Sequence, residues 1–595
     1  MFSKRVFLFL IISVVMALVA ACGGAAAPGT ITVVETVIVE KEVEGETVTI
    51  VETVEVVKEV EKEVVKEVDP DALPPEETLF YAGSNIGVGD VPTLDPSLAE
   101  DTTSIQFGTE LFVGLTRLNE ETGAVEPGMA TEWTVSDDGL VYTFNLRDDV
   151  PWVRYNNATG EVEQVMDEEG NPRMVNAHDF VYGIKRTLNP ETGGSYAYVN
   201  WYIENAQAVN GGSEQAEEDP LYGQLDEIGV EAVDDFTVQY TLSEPAAFFP
   251  SIASMWINWA QPQWLIEEKG DRWIEGGVIH TFGPYALRDW THDVSITLIA
   301  NPFWPGSESV PQPSIKYIHA QMLDESPKFA NYEAGLADVS VVPLPELDRV
   351  KADPTLSQEL NISGVRCTYY YGFNVTKPPF DDPNVRKAFS WAVDRTLLVE
   401  NVTKGGQAPA RWFTRPGLTA APDPAMGDDF GAPVTAEVPT AQEFLAASSY
   451  GSVEELPEIN LMVNQVEGHI QIAEAIQQMW EENLGVTVNV VVQEWKVFLE
   501  TLEQDPPQLF RLGWCDDYPD ASNFARDVFR SDSGNNHTRW VNEEYDRIVD
   551  EAASETDPEV RHDLYVQAEK ILVEEDAAII PIYWYTRVEV TKPYV

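Results

Sequence analysis

Hydrophobic and polar positions divide the chain into three regimes. Val6 to Ala21 are apolar except for Ser13, behind Lys4 and Arg5. A cationic start followed by roughly fifteen apolar residues is the pattern of an export signal, and it is shorter than the about 20 residues a membrane span requires. From 22 to 75 valine recurs with glutamate, as in Val54-Glu-Val-Val-Lys-Glu-Val60. Three readings are open here: a stretched tether, a short strand of period near two, or a helical stalk. The absence of sustained heptads favours a spacer. From Leu79 onward the apolar runs are short and regularly punctuated. Val141 to Leu146 and Phe236 to Leu242 alternate as strands do, whereas Val385, Ala388, Phe389, Ala392 and Val393 recur at helical spacing behind Pro383. A second helix is predicted over Ile470 to Leu484, and after Gly485 a buried strand runs to Val492. A helix feeding a strand in this way belongs to an α/β lobe. Asn156 to Arg173 is polar and glycine-bearing, which predicts a surface excursion.

Length and composition narrow the picture. About 520 residues beyond the spacer exceed what one core usually supports, so two or more lobes are expected. The chain carries 100 acidic and 37 basic side chains, a net charge of −63. Such a surface repels nucleic acid and anionic membranes, and it is best tolerated in saline or acidic surroundings. No later stretch approaches about 18 uncharged apolar residues, which places the rest of the chain outside the membrane. The export signal ends in Val19-Ala-Ala-Cys22-Gly23, which resembles a bacterial lipobox. Cys22 would then be acylated and become the first residue of the mature protein; the alternative is an ordinary cleaved signal beside a chance cysteine. Beyond Cys22 there are two cysteines, Cys367 and Cys515. In an oxidising compartment they are expected to pair, closing a loop of about 150 residues and stabilising the fold by roughly 4–5 kcal/mol. No metal site is expected, because the seven histidines form no HExxH and thiols are too few. Neither GxSxG, GxxxxGK nor a strand-borne GxGxxG occurs, and paired acids are weak evidence in so acidic a chain, so the sequence points to a binder without cofactor rather than an enzyme.

A series of ordered motifs identifies the family this chain resembles. They include Leu94-Asp-Pro96, Pro127-Gly-Met-Ala-Thr-Glu-Trp133, Ala177-His-Asp-Phe-Val-Tyr182, Gly283-Pro-Tyr285 and Asn301-Pro-Phe-Trp304. Later come Cys367-Thr-Tyr-Tyr-Tyr371, Pro378-Pro-Phe-Asp-Asp-Pro-Asn-Val-Arg386, Gln493-Glu-Trp495 and Gly513-Trp-Cys-Asp-Asp-Tyr518. Each is weak alone, but their shared order from Leu79 to Val595 resembles the bacterial extracellular solute-binding proteins of family 5, and among them the peptide-binding members. The resemblance implies an α/β, two-lobed periplasmic-binding-protein-like fold of type II with a third domain packed on the first lobe. Carried over, the signal is 1–21, the lipidated spacer 22–75, the first lobe 76–112 with 242–366 and 584–595, the additional domain 113–241 and the second lobe 367–583. It also implies the bond between Cys367 and Cys515.

The function implied is capture of oligopeptides for an ABC importer. The protein would be monomeric, held at the extracytoplasmic face of the cell membrane by lipid on Cys22, and would dock on permease subunits driven by cytoplasmic ATPases. Nucleic acid is not a partner. An enclosed ammonium needs a fixed carboxylate to replace its hydration. By resemblance that is Asp517, the alternative being a solvated turn aspartate beside Asp516 and Asp520. Main-chain contacts by β-augmentation would come from Gly513, Trp514 and Cys515 and from Glu100, Asp101 and Thr102. Arg511 and His469 match the groups that meet the peptide carboxylate, although His469 also reads as a surface residue or cap. A third family arginine is missing, its position taken by Leu502 after Phe498-Leu-Glu-Thr501. Trp495, Trp514 and Tyr196 match aromatic cavity walls or else are core. An oligosaccharide stacked on the tryptophans is the alternative ligand.

Overall fold

The computed structural model describes residues 73–84, 86, 89–119, 122–211 and 219–595, and the backbone of 32–43 and 46–57. The export signal at 1–21 and Cys22 lie outside the described residues. The chain divides near Pro75 into two compact units. In the first, Thr32–Val43 and Glu46–Val57 pair antiparallel, Thr32 opposite Val57 and Val43 opposite Glu46. The backbone of these residues forms two strands, in keeping with the period near two.

The second unit is organised by a sheet of eleven described strands. One half of it runs Tyr285–Thr291, Ser295–Ala300, Tyr317–Gln321, Thr78–Ala82 and Val339–Val341; the other runs Leu509–Cys515, Ile459–Asn464 and Val488–Gln493. Each half is the floor of one lobe. Two long antiparallel strands, Leu360–Phe373 and Ile579–Thr591, join them. Their ladder slips between Gly364 and Thr368 and again between Tyr369 and Tyr370. The sequence changes at the first of these: Leu360 to Arg366 is largely polar and little buried, whereas Cys367 to Phe373 is buried throughout. Cys367 and Cys515 lie directly opposite one another across this junction and are disulfide-bonded.

A separate four-stranded sheet, in the order Val230–Asp234, Thr237–Thr241, Val141–Leu146 and Ala130–Val135, forms the additional domain. Tyr142, Phe144 and Leu146 point inward in alternation, as their spacing predicts. The polar stretch after Asn156 turns back as a hairpin of Val153–Asn156 with Glu161–Gln164.

Two helices show where the sequence boundaries shift. Pro383–Trp391 buries Val385, Ala388 and Phe389, but it ends before Asp394, because that carboxylate caps the next helix by accepting from Leu397 N–H at 2.8 Å. Glu467–Leu484 starts three residues earlier than its apolar face predicts and stops at Gly485, whose φ of 76° closes it. The strand after it is not buried: Val488–Gln493 is the sheet edge, and Val491 and Val492 are 41% and 43% exposed. Among the described residues no helix is long and apolar enough to cross a membrane.

Candidate ligand-binding cavity

Between the lobes lies a cavity of about 1140 Å³, above the roughly 300–1,000 Å³ usual for small-molecule sites. All eleven candidate residues line it, together with Cys367. The strand Leu509–Cys515 is its principal wall. One edge of this strand pairs with Leu360–Phe373 throughout. The other pairs with Ile459–Asn464 only at Leu509 and Phe510, so from Arg511 to Cys515 it has no strand partner among the described residues. This leaves main-chain groups available to an extended ligand.

Just beyond the strand, three aspartates are sorted by their partners. Asp516 is ion-paired with Arg366 at 2.7 Å, and Asp520 with Arg561 at 2.7 Å. Asp517 has no basic side chain within ion-pair distance among the described residues. It accepts a hydrogen bond from Asn523 Nδ2 at 2.9 Å. Burial pushes its carboxyl well above the usual carboxylate range, and Asp527 and Asp516 add to the effect. Asp517 is thus a half-buried carboxylate at a cavity wall with no counter-ion among the described residues.

Asn523 organises this end and was not singled out in the sequence. Its Oδ1 accepts from Asp517 N–H at 2.9 Å and from Trp514 Nε1 at 3.1 Å, while its Nδ2 also reaches Asp527 at 3.2 Å. Trp514 is thereby fixed and stacks on Tyr196 with 4° between ring planes and 6.1 Å between centroids. No spacing rule connects an asparagine early in the helix Ser522–Phe529 to the end of the preceding strand.

At the opposite end of the strand Arg511 is 6% exposed. It donates to Asn464 Oδ1 at 3.1 Å and to the Tyr585 hydroxyl, and its guanidinium lies 4.6 Å from the centre of the Tyr369 ring. Its Nε has no partner, and no carboxylate is within ion-pair distance among the described residues. His469 stands against the same Tyr369 ring at 5.5 Å. Burial, reinforced by Arg511, holds its pKa well below the ordinary value. It is a neutral imidazole here, so the cation at this end is Arg511. Leu502 is fully buried and cannot reach the cavity, whereas the next residue, Glu503, lines it.

The first lobe contributes the entrance of the helix Thr102–Leu111. Asp101 caps it, accepting from Thr103 and Ser104 N–H at 2.9 and 3.1 Å. Its Oδ2 is buried without a partner. Trp495 Nε1 donates to Asp101 Oδ1 across the cleft at 3.4 Å, so this tryptophan bridges the lobes as well as walling the cavity. Glu100 accepts from Ser195 Oγ at 2.7 Å, and burial, with Glu503 facing it, pushes its carboxyl up to about 8. Thr102 is exposed to the cavity. Glu100 to Thr102 is not part of a sheet, so any backbone pairing here would come from a helix entrance rather than a strand edge.

Comparison with known proteins was consistent with this geometry. The model of the bacterial extracellular solute-binding proteins, family 5 (middle region), matches residues 124–536. An oligopeptide-binding protein of Bacillus subtilis (strain 168) is 33% identical over 516 residues, 84% of this chain and 87% of its own. The oligopeptide-binding protein of Haemophilus influenzae in complex with the peptide RPPGFSPFR superposes with a TM-score of 0.75 at 27% identity, over 88% of this chain and 96% of that one. The murein tripeptide-binding protein of Escherichia coli superposes at 0.75 and 29% identity, over 88% and 95% of the two chains. Its unliganded open form gives only 0.55 at 28% identity and nearly the same coverage, 88% and 94%. The lobes here are therefore arranged more as in the peptide complex than as in that open form.

Proposed function

This chain belongs to the bacterial extracellular solute-binding proteins of family 5, and from that premise we propose that it captures short peptides with free ends for an ABC importer. It is a binding protein, not an enzyme, and it works outside the cytoplasm. The observation that carries the peptide reading is the pairing of two uncompensated charges along one free strand edge, Asp517 past its end and Arg511 near its start. A free ammonium answers the first and a carboxylate the second.

The same premise gathers the finer assignments. The first lobe would comprise 76–112, 242–366 and 584–595, the additional domain 113–241 and the second lobe 367–583. The closed clamp would dock on the permease subunits, and acylated Cys22 would hold it at the membrane. The sugar alternative has less support, because Trp514 already stacks on Tyr196 and Trp495 on Phe498 at 5.6 Å.

Calorimetry with a tetrapeptide, its N-acetylated form and a cello-oligosaccharide tests the reading. The free peptide should bind. Acetylation should cost about 3–5 kcal/mol, the usual penalty for leaving a buried charge unpaired. Binding of the sugar, or equal binding of both peptides, would overturn it.

A further inference from the structure

The helix Glu467–Leu484 begins at the cavity and has no side-chain cap of its own, its cap position being Val466. A helix start leaves up to four backbone N–H groups without partners. Two of them are met from the other lobe. Glu467 N–H donates to Asp324 Oδ1 at 3.3 Å and Gly468 N–H to Glu325 Oε2 at 3.0 Å. Ser326 Oγ donates in turn to the Glu467 carboxylate. Asp324 also caps its own helix, Glu325–Glu333, accepting from Glu325 N–H at 2.9 Å. Two helix starts, one from each lobe, thus share a pair of carboxylates. Each start carries partial positive charge, so bringing them together is favourable only with anions between.

This contact sits beside the ligand's carboxylate end. Glu325, Gly468 and His469 all line the cavity, and His469 is the group standing with Arg511 against Tyr369. A Cβ at Gly468 would stand 3.2 Å from Glu325 Oε2, so an alanine there would push the carboxylate back by a few tenths of an ångström. Burial against the facing helix pushes the Glu325 carboxyl up to about 7, as expected where water has been excluded.

We infer that Asp324 and Glu325 are closure-positioning residues: they cap a helix of the facing lobe only when the clamp is shut, and so prolong retention of a ligand they need not touch. The inference rests on the peptide reading of the same cavity. Opening the lobes would exchange both contacts for water, so the pair should act on release and leave capture unchanged.

Stopped-flow tryptophan fluorescence with a free-ended tetrapeptide provides the test, on the mature protein and on Asp324→Ala/Glu325→Ala, Glu325→Gln and Gly468→Ala. The double variant should release peptide about tenfold faster, the effect of losing charge-assisted hydrogen bonds, with an association rate close to wild type. Glu325→Gln keeps an acceptor and should restore most of the retention. Gly468→Ala perturbs the contact from the facing lobe and should also speed release; it decides the matter if the double variant does not fold. Release unchanged in the folded variants overturns the latch alone. Failure of the unsubstituted protein to bind the peptide overturns the peptide reading, and the latch with it.

Discussion

Asp516 and Asp517 are adjacent in sequence and differ in what meets them: Arg366 neutralises the first, and no described cation reaches the second. The difference has a consequence in pH. On the peptide reading an ammonium would be held by the ionised Asp517, and burial raises the carboxyl's pKa, so ionisation is lost at a higher pH than the about 3.9 of an ordinary aspartate. The affinity advantage of a free-amine peptide over its acetylated form should therefore be large at pH 7.5 and clearly smaller at pH 5. Titrating both peptides at the two values checks this, and an equal advantage at both would contradict it. Asp517, Trp514 and Arg511 were singled out through the family resemblance, and the structure brings all three to the wall of one cavity. Asn523 was not, since Trp514 and Asp517 lie in the preceding strand and turn at no helical or strand period from it, and only Asp527 stands one helical turn on. The neutral state of His469 was also hidden, because it depends on burial and on Arg511, brought together only by the fold.

At the scale of elements, periodicity located helices and strands and tertiary partners set their ends. Val385 to Val393 read correctly as a helical face, yet Asp394 was needed for the next cap. The start of Glu467–Leu484 depends on acceptors some 140 residues earlier, which no local pattern contains. The valine run after Gly485 read as buried, although only its place in the strand order shows it to be an edge. The disulfide was foreseeable from two cysteines in an exported chain, but its position opposite the lobe junction was not. It ties the end of the cavity strand to the buried half of a connecting strand across 148 residues. Replacing both cysteines by serine should lower unfolding stability by roughly 2–5 kcal/mol, measured by denaturant titration. A loss below about 1 kcal/mol would show that the junction holds without the bond.

At the scale of the whole molecule, two lobes joined by two strands enclose a cavity whose most telling charges are uncompensated among the described residues. In a chain of net charge −63 no cation among the described residues pairs with Asp517, although the neighbouring Asp516 and Asp520 have theirs. On the proposed reading, the carboxylate at one end of the clamp and the guanidinium at the other would each be met by the opposite charge of a free-ended peptide. The most direct measurement is a calorimetric cycle with Asp517→Asn, a size-matched neutral change, and a tetrapeptide with free or acetylated amine. The substitution should weaken the free peptide by about 100-fold or more and leave the acetylated one nearly unchanged, as for a buried charge that has lost its partner. Full affinity of the folded variant for the free peptide would contradict the account.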